Sequence, residues 1–257
     1  MSASTPVILL TGGSRGLGAA MARKLLAEPI KAKVVLIART EPGMKALQAE
    51  YPGQVEYVIG DVGKDEVNEA AVKLAVDKFG SLTGAIFNAA ILDPIAPVAK
   101  ADVSAWKNLF DINYFSLIAG LKAAIPYLRE SKGKVVFISS GAAHHYFYGW
   151  GAYGASKAAT DHLAATLAVE EADIVPFSLD PGVMDTDMQG FIRSHGEGMV
   201  SHEHDRFLKL KSEGGLSPPE DPGSVAVNLV LGCPKELAGK AIKFNDPALA
   251  AYRDYKA

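Results

Sequence analysis

The sequence predicts an α/β fold built on a parallel sheet that carries helices on both faces. Short apolar runs rich in Val, Ile and Phe alternate with longer helical stretches along the chain, an order typical of βαβ units. The runs are almost continuously hydrophobic, which indicates strands buried on both faces. The first run also leads directly into a glycine-rich turn and an amphipathic helix, as at the start of a doubly wound sheet.

The individual elements follow from these patterns. Seven strands are expected at residues 7–11, 33–38, 55–60, 84–89, 134–139, 174–179 and 240–244. Six helices are expected at about 17–27, 43–51, 66–79, 104–129, 151–171 and 222–232, with Asp65 and Ser104 as caps. We therefore predict a single Rossmann-type, doubly wound domain over residues 1–257.

Segment 187–221 is the exception to this regular alternation. It is charged, contains several glycines and has weak hydrophobic periodicity. Because a long irregular insertion in a compact domain is commonly a functional loop, we predict a lid over a substrate site. The alternative is a solvated surface excursion.

Composition restricts the class of protein. The 257 residues are 49% hydrophobic and 21% charged, as in an ordinary globular domain. The net charge of −3 gives no electrostatic reason to expect binding to nucleic acid or to a membrane. No apolar run approaches the ~20 residues of a membrane span, and residues 1–6 lack the basic region of a signal peptide, so a cytoplasmic location is expected. The single cysteine, Cys233, excludes an internal disulfide and is expected to be buried.

The turn after the first strand predicts a phosphate-binding site. Gly12, Gly16 and Gly18 form the pattern G-x-x-x-G-x-G between a strand and a helix. Glycines in this position let backbone N–H groups approach a pyrophosphate at the helix N-terminus, although turns also use glycine for other reasons. The other residues expected to contact the cofactor from this turn are Ser14, Arg15 and Leu17.

The end of the second strand predicts NADP(H) rather than NAD(H). A dinucleotide fold that prefers NAD usually carries an acidic residue there, which bonds the ribose 2′-hydroxyl. This chain has Arg39 followed by Thr40, and Arg15 of the glycine turn is expected to reach the same point. Arginines hold a 2′-phosphate through charge-assisted hydrogen bonds. The alternative is two unrelated surface arginines.

Tyr153 and Lys157 predict an acid–base pair. They are four residues apart and therefore share one helix face, and a nearby ammonium group lowers the pKa of a tyrosine. Ser139 and Ser140 follow the fifth strand at the sheet edge where such folds bind ligands, and Ser139 is expected to bond the backbone instead of a substrate. Alone, the tyrosine–lysine pair is equally compatible with helix surface chemistry.

Together these motifs resemble the short-chain dehydrogenase/reductase family. The patterns T-G-x-x-x-G-x-G and Y-x-x-x-K, with a serine thirteen residues before the tyrosine, occur in the family's order within residues 11–188. The resemblance implies hydride transfer to a carbonyl carbon. Tyr153 would give the proton, Ser140 would stabilise the alkoxide, and Lys157 would tune the tyrosine and hold the nicotinamide ribose. Asn113 would hold a water molecule that leads from the lysine to solvent.

The resemblance also implies the rest of the cofactor site. The adenine would lie against Asp61 and Val62, and the nicotinamide would lie near Pro181, Gly182 and Val183, with its carboxamide bonded by Thr186. F-N-A-A at 87–90 departs from the family's N-N-A-G at both ends. The implied set is completed by Asn88, Ala89, Ala90 and Met188, and by Tyr153 and Lys157 at the ribose.

The segment between Ser140 and Tyr153 predicts the substrate pocket. It is unusually aromatic, with Tyr146, Phe147, Tyr148 and Trp150, and such rings stack on a flat substrate. The neighbouring pair His144 and His145 has no acidic or cysteine companion, so no metal is expected.

Within the family the chain resembles fungal benzil-reductase and sepiapterin-reductase-type members. This implies an NADPH-dependent carbonyl reductase of bulky ketones, α-diketones or α-keto esters that forms chiral alcohols. The alternative is a non-catalytic NADP(H)-sensing protein that keeps the fold. The resemblance also implies a homodimer or homotetramer paired through the two long helices, 104–129 and 151–171.

Overall fold

The computed structural model describes residues 5–254. Residues 1–4, on which the expectation of a cytoplasmic location partly rests, lie outside the described residues. The described strands form one fully parallel sheet in the order β3-β2-β1-β4-β5-β6-β7. Their bounds are β1 Val7–Thr11, β2 Lys33–Ala38, β3 Val55–Ile59, β4 Gly84–Phe87, β5 Lys134–Ile138, β6 Val175–Asp180 and β7 Ala241–Lys243. The predicted seven-stranded parallel sheet is confirmed.

Helices cover both faces of the sheet. On one face α1, α2 and α9 enclose a cluster that includes Ile8, Leu36 and Phe177. On the other face α3, α5 and α6 enclose a cluster that includes Leu9, Ile37 and Phe137. The bounds of these helices are α1 Gly16–Leu26, α2 Pro42–Glu50, α3 Asp65–Phe79, α5 Ser116–Ser131, α6 Gly151–Glu170 and α9 Glu220–Gly232.

The predicted helix 104–129 is divided in the structure. Helix α4 (Val103–Phe110) continues through a π-helical turn at Asp111–Phe115 into α5. Such turns widen a helix locally and are frequent at functional sites. The predicted caps are corrected as well. Asp102, not Ser104, caps α4 by accepting from the Ser104 backbone N–H at 2.8 Å, and Asp65 is the first residue of α3 rather than its cap.

The expectation of an irregular segment at 187–221 is wrong. Two short helices lie there, α7 (Asp187–Ser194) and α8 (Ser201–Ser212). Phe207 is the only buried residue of α8, so the helix is polar almost all round and its hydrophobic pattern is too weak to reveal it. Whether the two helices move as a lid stays a prediction.

The sheet topology places the site. Strands β1 and β4 are neighbours, and from them the chain winds outward in opposite directions. The carboxyl ends of such strands open a crevice in which open α/β sheets bind ligands. Within residues 5–254, no helix has both the length and the hydropathy needed to cross a bilayer.

Candidate active site

The glycine turn forms a cradle that only glycine fits. A Cβ atom at Gly18 would lie 2.0 Å from the carbonyl oxygen of Gly12, and one at Gly12, where φ is 71°, would lie 2.7 Å from Nδ2 of Asn88. No side chain caps the N-terminus of α1, and its first turn carries no acid. Its free N–H groups therefore face the crevice as an anion site, and these residues fit the pyrophosphate of a dinucleotide.

The cradle is tied to β4 by Thr11, which the predicted set omitted although it is the first residue of the T-G motif. Its hydroxyl oxygen accepts from the backbone N–H groups of Asn88 (2.9 Å) and Ala89 (3.0 Å). The Asn88 amide donates in return to the carbonyl oxygens of Thr11 (3.0 Å) and Gly12 (3.2 Å). Asn88, Ala89 and Ala90 thus stand beside the glycine turn, as the cofactor site requires.

The adenosine end of the crevice holds the predicted residues after β2 and β3. Arg39 and Thr40 are exposed directly after β2. Val62 is buried, and Oδ1 of Asp61 accepts from the Gly63 N–H at 3.0 Å.

Arg15 is engaged elsewhere in this structure. It forms an exposed ion pair of 2.9 Å with Asp187, the first residue of α7. Joint binding of a 2′-phosphate by Arg15 and Arg39 stays a prediction.

The segment after β6 lies across the glycine turn. Thr186 approaches Gly16, since a Cβ atom there would lie 3.5 Å from its methyl group. Gly182 has φ of 68°, and its N–H donates to Oδ1 of Asp180 at 2.9 Å. Pro181 precedes it, and Val183 and Met188 pack against a third apolar cluster at this edge of the sheet. Asp180 was missed by the sequence analysis although it adjoins the P-G motif.

Lys157 is buried, and its Nζ donates to the carbonyl oxygen of Ile138 at 2.7 Å. The same atom lies 5.8 Å from the centre of the Tyr153 ring. Burial lowers the pKa of the Lys157 ammonium to about 8, and the carboxylate of Asp161 opposes this shift. The structure therefore brings the lysine and the tyrosine together in a largely water-excluded place.

Tyr153 does not show the lowered pKa that the sequence predicted. Burial raises the pKa of its phenol to about 12, a hydrogen bond from Ser140 opposes the rise, and the carboxylate of Asp180 adds to it. The physical reason is that the phenolate loses more stabilisation on leaving water than the hydrogen bond from Ser140 supplies. In this structure Tyr153 is a phenol rather than a phenolate at neutral pH.

Asn113 lies in the π-helical turn, fully buried, and uses its amide to fix its surroundings. Its Oδ1 accepts from the Ile91 N–H, and its Nδ2 donates to the Ile91 carbonyl oxygen, both at 2.8 Å. Nδ2 also lies 3.2 Å from Oγ of Ser156, which donates to the Tyr153 carbonyl oxygen at 2.8 Å. Asn113 thus joins the loop after β4 to the helix of Tyr153. Its predicted role in holding a water molecule stays a prediction.

The two serines after β5 differ in their surroundings. Oγ of Ser140 accepts from the Ala142 N–H at 3.2 Å and faces Tyr153. Ser139 is buried, and its hydroxyl has no hydrogen-bond partner within residues 5–254. The expectation that Ser139 bonds the backbone is wrong for this part of the chain.

The four aromatic residues predicted for the pocket do not act as a group. Tyr146 is 94% exposed and Tyr148 is 47% exposed, so both are corrected to surface residues. The loop turns outward here, and the Tyr148 N–H donates to Glu203 of α8 at 2.9 Å. Phe147 and Trp150 instead pack inward on the third apolar cluster.

Trp150 joins Tyr153 to α8. Its ring meets that of Tyr153 edge-on at 5.7 Å and stacks on Phe207 at 5.5 Å with an interplanar angle of 14°. Phe147 lies 4.8 Å from Trp150 and 6.0 Å from Phe207. Phe207 could not be assigned to this site from the sequence, because α8 lies far along the chain from Tyr153.

In the described part of the chain, no three His, Cys, Asp or Glu side chains gather as a metal site. Cys233 is buried, and burial raises the pKa of its thiol to about 11.

The groups that converge at the carboxyl edge of the sheet are an anion cradle, a buried phenol, a buried amine and two serine hydroxyls. This arrangement can hold a dinucleotide and deliver a proton to an oxygen atom beside it.

The sequence matches the family model described as short chain dehydrogenase over residues 6–197. An uncharacterised oxidoreductase of Saccharomyces cerevisiae, YIR035C, is 40% identical over 249 residues, which cover 96% of this chain and 98% of the relative. The crystal structure of that protein matches with a TM-score of 0.95 at 39% identity and covers 96% of this chain and 99% of its own.

Two further proteins are similar along nearly the whole length. IRC24 of the same yeast, a benzil reductase that forms (S)-benzoin, is 36% identical over 255 residues, which cover 95% of this chain and 97% of the relative. The crystal structure of the enzyme KRED1-Pglu matches with a TM-score of 0.91 at 38% identity, covering 93% of this chain and 100% of that one.

Proposed function

The chain belongs to the short-chain dehydrogenase/reductase family, and on that premise we propose that it is an NADPH-dependent reductase of bulky ketones, α-diketones or α-keto esters. Membership makes it an oxidoreductase that uses a nicotinamide dinucleotide. The observation that carries the proposal is the pair of buried side chains Tyr153 and Lys157, with the half-buried Ser140 hydroxyl bonded to the tyrosine, beside the dinucleotide cradle. Similarity to a benzil reductase supports the substrate class.

Each side chain of the site has a separate role at the substrate carbonyl. When bound, the nicotinamide supplies the hydride that forms the new C–H bond. Tyr153, protonated at neutral pH, gives its proton to the carbonyl oxygen, so that the product leaves as an alcohol. Ser140 donates a hydrogen bond to the same oxygen while negative charge develops on it. Lys157, held by Ile138 at 2.7 Å, places a positive charge near the phenolate that remains.

The preference for NADPH is proposed from the charge at the end of β2. Arg39 stands there, where an acidic residue would repel a 2′-phosphate, and it has no hydrogen-bond or ion-pair partner within residues 5–254. Arg15, directly before α1, can leave its present partner Asp187 at little cost, because such exposed ion pairs are worth at most about 1 kcal/mol.

The proposal is tested by following NADPH oxidation with benzil, with NADH in a parallel assay. We expect turnover with NADPH and a large loss of turnover in Tyr153→Phe, on the order of 100-fold or more, because one oxygen atom carries the transferred proton. NADPH binding by this variant should stay as in the wild type, since the aromatic ring is kept and only its hydroxyl is removed. A wild-type protein that binds NADPH but oxidises it with no ketone would overturn the reductase proposal.

The NADP(H)-sensing alternative is not favoured, because a sensor has no need of a proton donor buried beside a serine and a lysine. A homodimer or homotetramer remains a proposal. It is supported by exposed apolar side chains at the junction of the π-helical turn and α5, Phe115 and Ile118. The cytoplasmic location likewise remains a proposal.

A further inference from the structure

Trp150 has an indole N–H that nothing in the described chain satisfies. The side chain is only 6% exposed, and its Nε1 atom is buried without a hydrogen-bond partner within residues 5–254. A buried donor left unpaired costs about 1–3 kcal/mol, and such groups are uncommon in folded proteins. Of the five buried polar side-chain atoms without a partner in residues 5–254, Nε1 of Trp150 is the one carried on a ring in contact with Tyr153, which places it where a substrate can complete it.

The surroundings of Trp150 show where an acceptor must come from. The neighbouring rings are those of Tyr153, Phe207 and Phe147, and the cluster around them is apolar, with Leu92 and Leu109 among its members. The Phe and Leu side chains carry no acceptor, and the phenol oxygen of Tyr153 is bonded by Ser140 and not by the indole. An acceptor atom carried by a bound substrate would satisfy this donor.

The position beside Tyr153 restricts the chemistry of that acceptor. The centres of the two rings are 5.7 Å apart and the rings meet at 90°, so the indole and the phenol are direct neighbours, and a group that bonds one of them lies close to the other. Tyr153 is occupied by the oxygen of the carbonyl that is reduced. The second acceptor therefore belongs to a group close to that carbonyl.

We propose that the Trp150 N–H binds the second oxygen of a 1,2-dicarbonyl substrate while Tyr153 and Ser140 bind the first. This inference rests on the proposed ketone reductase function and deepens it, because it names the residue that distinguishes α-diketones from simple ketones. A pocket built to bond a substrate oxygen rejects an analogue that lacks it, since the buried donor is then left unpaired. The aromatic neighbours favour flat, bulky substituents, but they do not distinguish a substrate with two carbonyl oxygens from one with a single carbonyl oxygen.

The test compares two ketones in one variant. Benzil has two adjacent carbonyl groups, and deoxybenzoin has a methylene in place of the second. Trp150→Phe keeps an aromatic ring and removes the N–H. We expect kcat/KM for benzil to fall about tenfold, the value for a lost neutral hydrogen bond, and that for deoxybenzoin to change less than twofold. If deoxybenzoin turns over too slowly, its inhibition constant against benzil gives the same comparison.

The matched control is Trp106→Phe, which makes the same chemical change at the other tryptophan of the chain. Trp106 packs beside Gly151, and its replacement should leave the benzil-to-deoxybenzoin ratio unchanged. Equal losses for both ketones in Trp150→Phe would overturn the inference and assign Trp150 to packing alone, and so would no loss at all. A wild-type protein that reduces neither ketone with NADPH overturns the proposed function itself, and this inference with it.

Discussion

Helix α8 is anchored mainly by one fully buried side chain, and removing that side chain should free the helix while leaving the sheet intact. Phe207 is 3% exposed and is the only buried residue of α8. The remaining ties are the half-buried Leu210, which packs on the edge of the same apolar cluster, and polar bonds near the surface. The polar bonds include that of Glu203 to the Tyr148 N–H and the ion pair between Lys211 and Asp185, each worth about 1 kcal/mol or less. The variant Phe207→Ala tests this arrangement.

The magnitude follows from what Phe207 buries. Truncating a fully buried phenylalanine to alanine costs about 3–5 kcal/mol, which exceeds the sum of the polar ties. Ordering the twelve residues of α8 costs backbone entropy of about 1 kcal/mol or more per residue. Without the anchor, the helix has little to offset that cost. We therefore expect local undocking of α8, and not unfolding of the sheet.

Hydrogen exchange measures the effect directly. Amide exchange in α8 should become at least 100-fold faster in Phe207→Ala, because 3 kcal/mol corresponds to about that factor and local openings report local free energies. Exchange in β1 and β5 should stay as in the wild type. Leu208→Ala is the matched control, since Leu208 neighbours Phe207 but is 40% exposed. If α8 keeps its protection in Phe207→Ala, anchoring by one aromatic ring is refuted.

Three further predictions concern the cofactor and the buried amine. Gly18→Ala should weaken NADPH binding at least tenfold in a fluorescence titration, because its Cβ would lie 2.0 Å from the Gly12 oxygen; Gly232→Ala, with nothing within 4 Å, is the control that should bind normally. Arg39→Asp should lower the NADPH-to-NADH ratio of kcat/KM at least tenfold, and an unchanged ratio would remove Arg39 from the 2′-phosphate site. The pKa of Lys157 is about 8 in the folded protein and near 10.5 unfolded, so between these values the unfolded chain binds more protons and stability rises with pH. The free energy of unfolding in urea should therefore rise by about 2 kcal/mol more between pH 8 and pH 10 in the wild type than in Lys157→Met. The same pH dependence in both proteins would contradict the buried amine.

Prediction from sequence succeeded where burial makes a whole segment apolar. Strands β1 and β2 were predicted with the bounds that the structure gives them, because a parallel strand covered on both faces is apolar throughout. Helix α8 was missed for the opposite reason, since a helix with one buried residue has no apolar stripe.

The candidate active site likewise contains contacts that the sequence predicted and contacts that it did not. Spacing predicted that Tyr153 and Lys157 come together, because one turn of one helix sets their distance. It did not separate Phe147 from its exposed neighbour Tyr146, because loop residues follow no fixed period. The contact of Trp150 with Phe207 was also out of reach, because it depends on how α8 folds back over the site.

The protonation state of the buried phenol bears on the direction of the reaction. An enzyme that oxidises an alcohol needs a base at this position, whereas one that reduces a ketone needs an acid. With a pKa of about 12, Tyr153 holds its proton throughout the physiological range. The carboxylate of Asp180 strengthens this state, because a negative charge nearby disfavours a phenolate. Lys157, whose Nζ is bonded to Ile138, limits the cost of the phenolate after the proton has left. The site as folded thus presents the acid that reduction of a ketone requires, in keeping with the proposed reductase function.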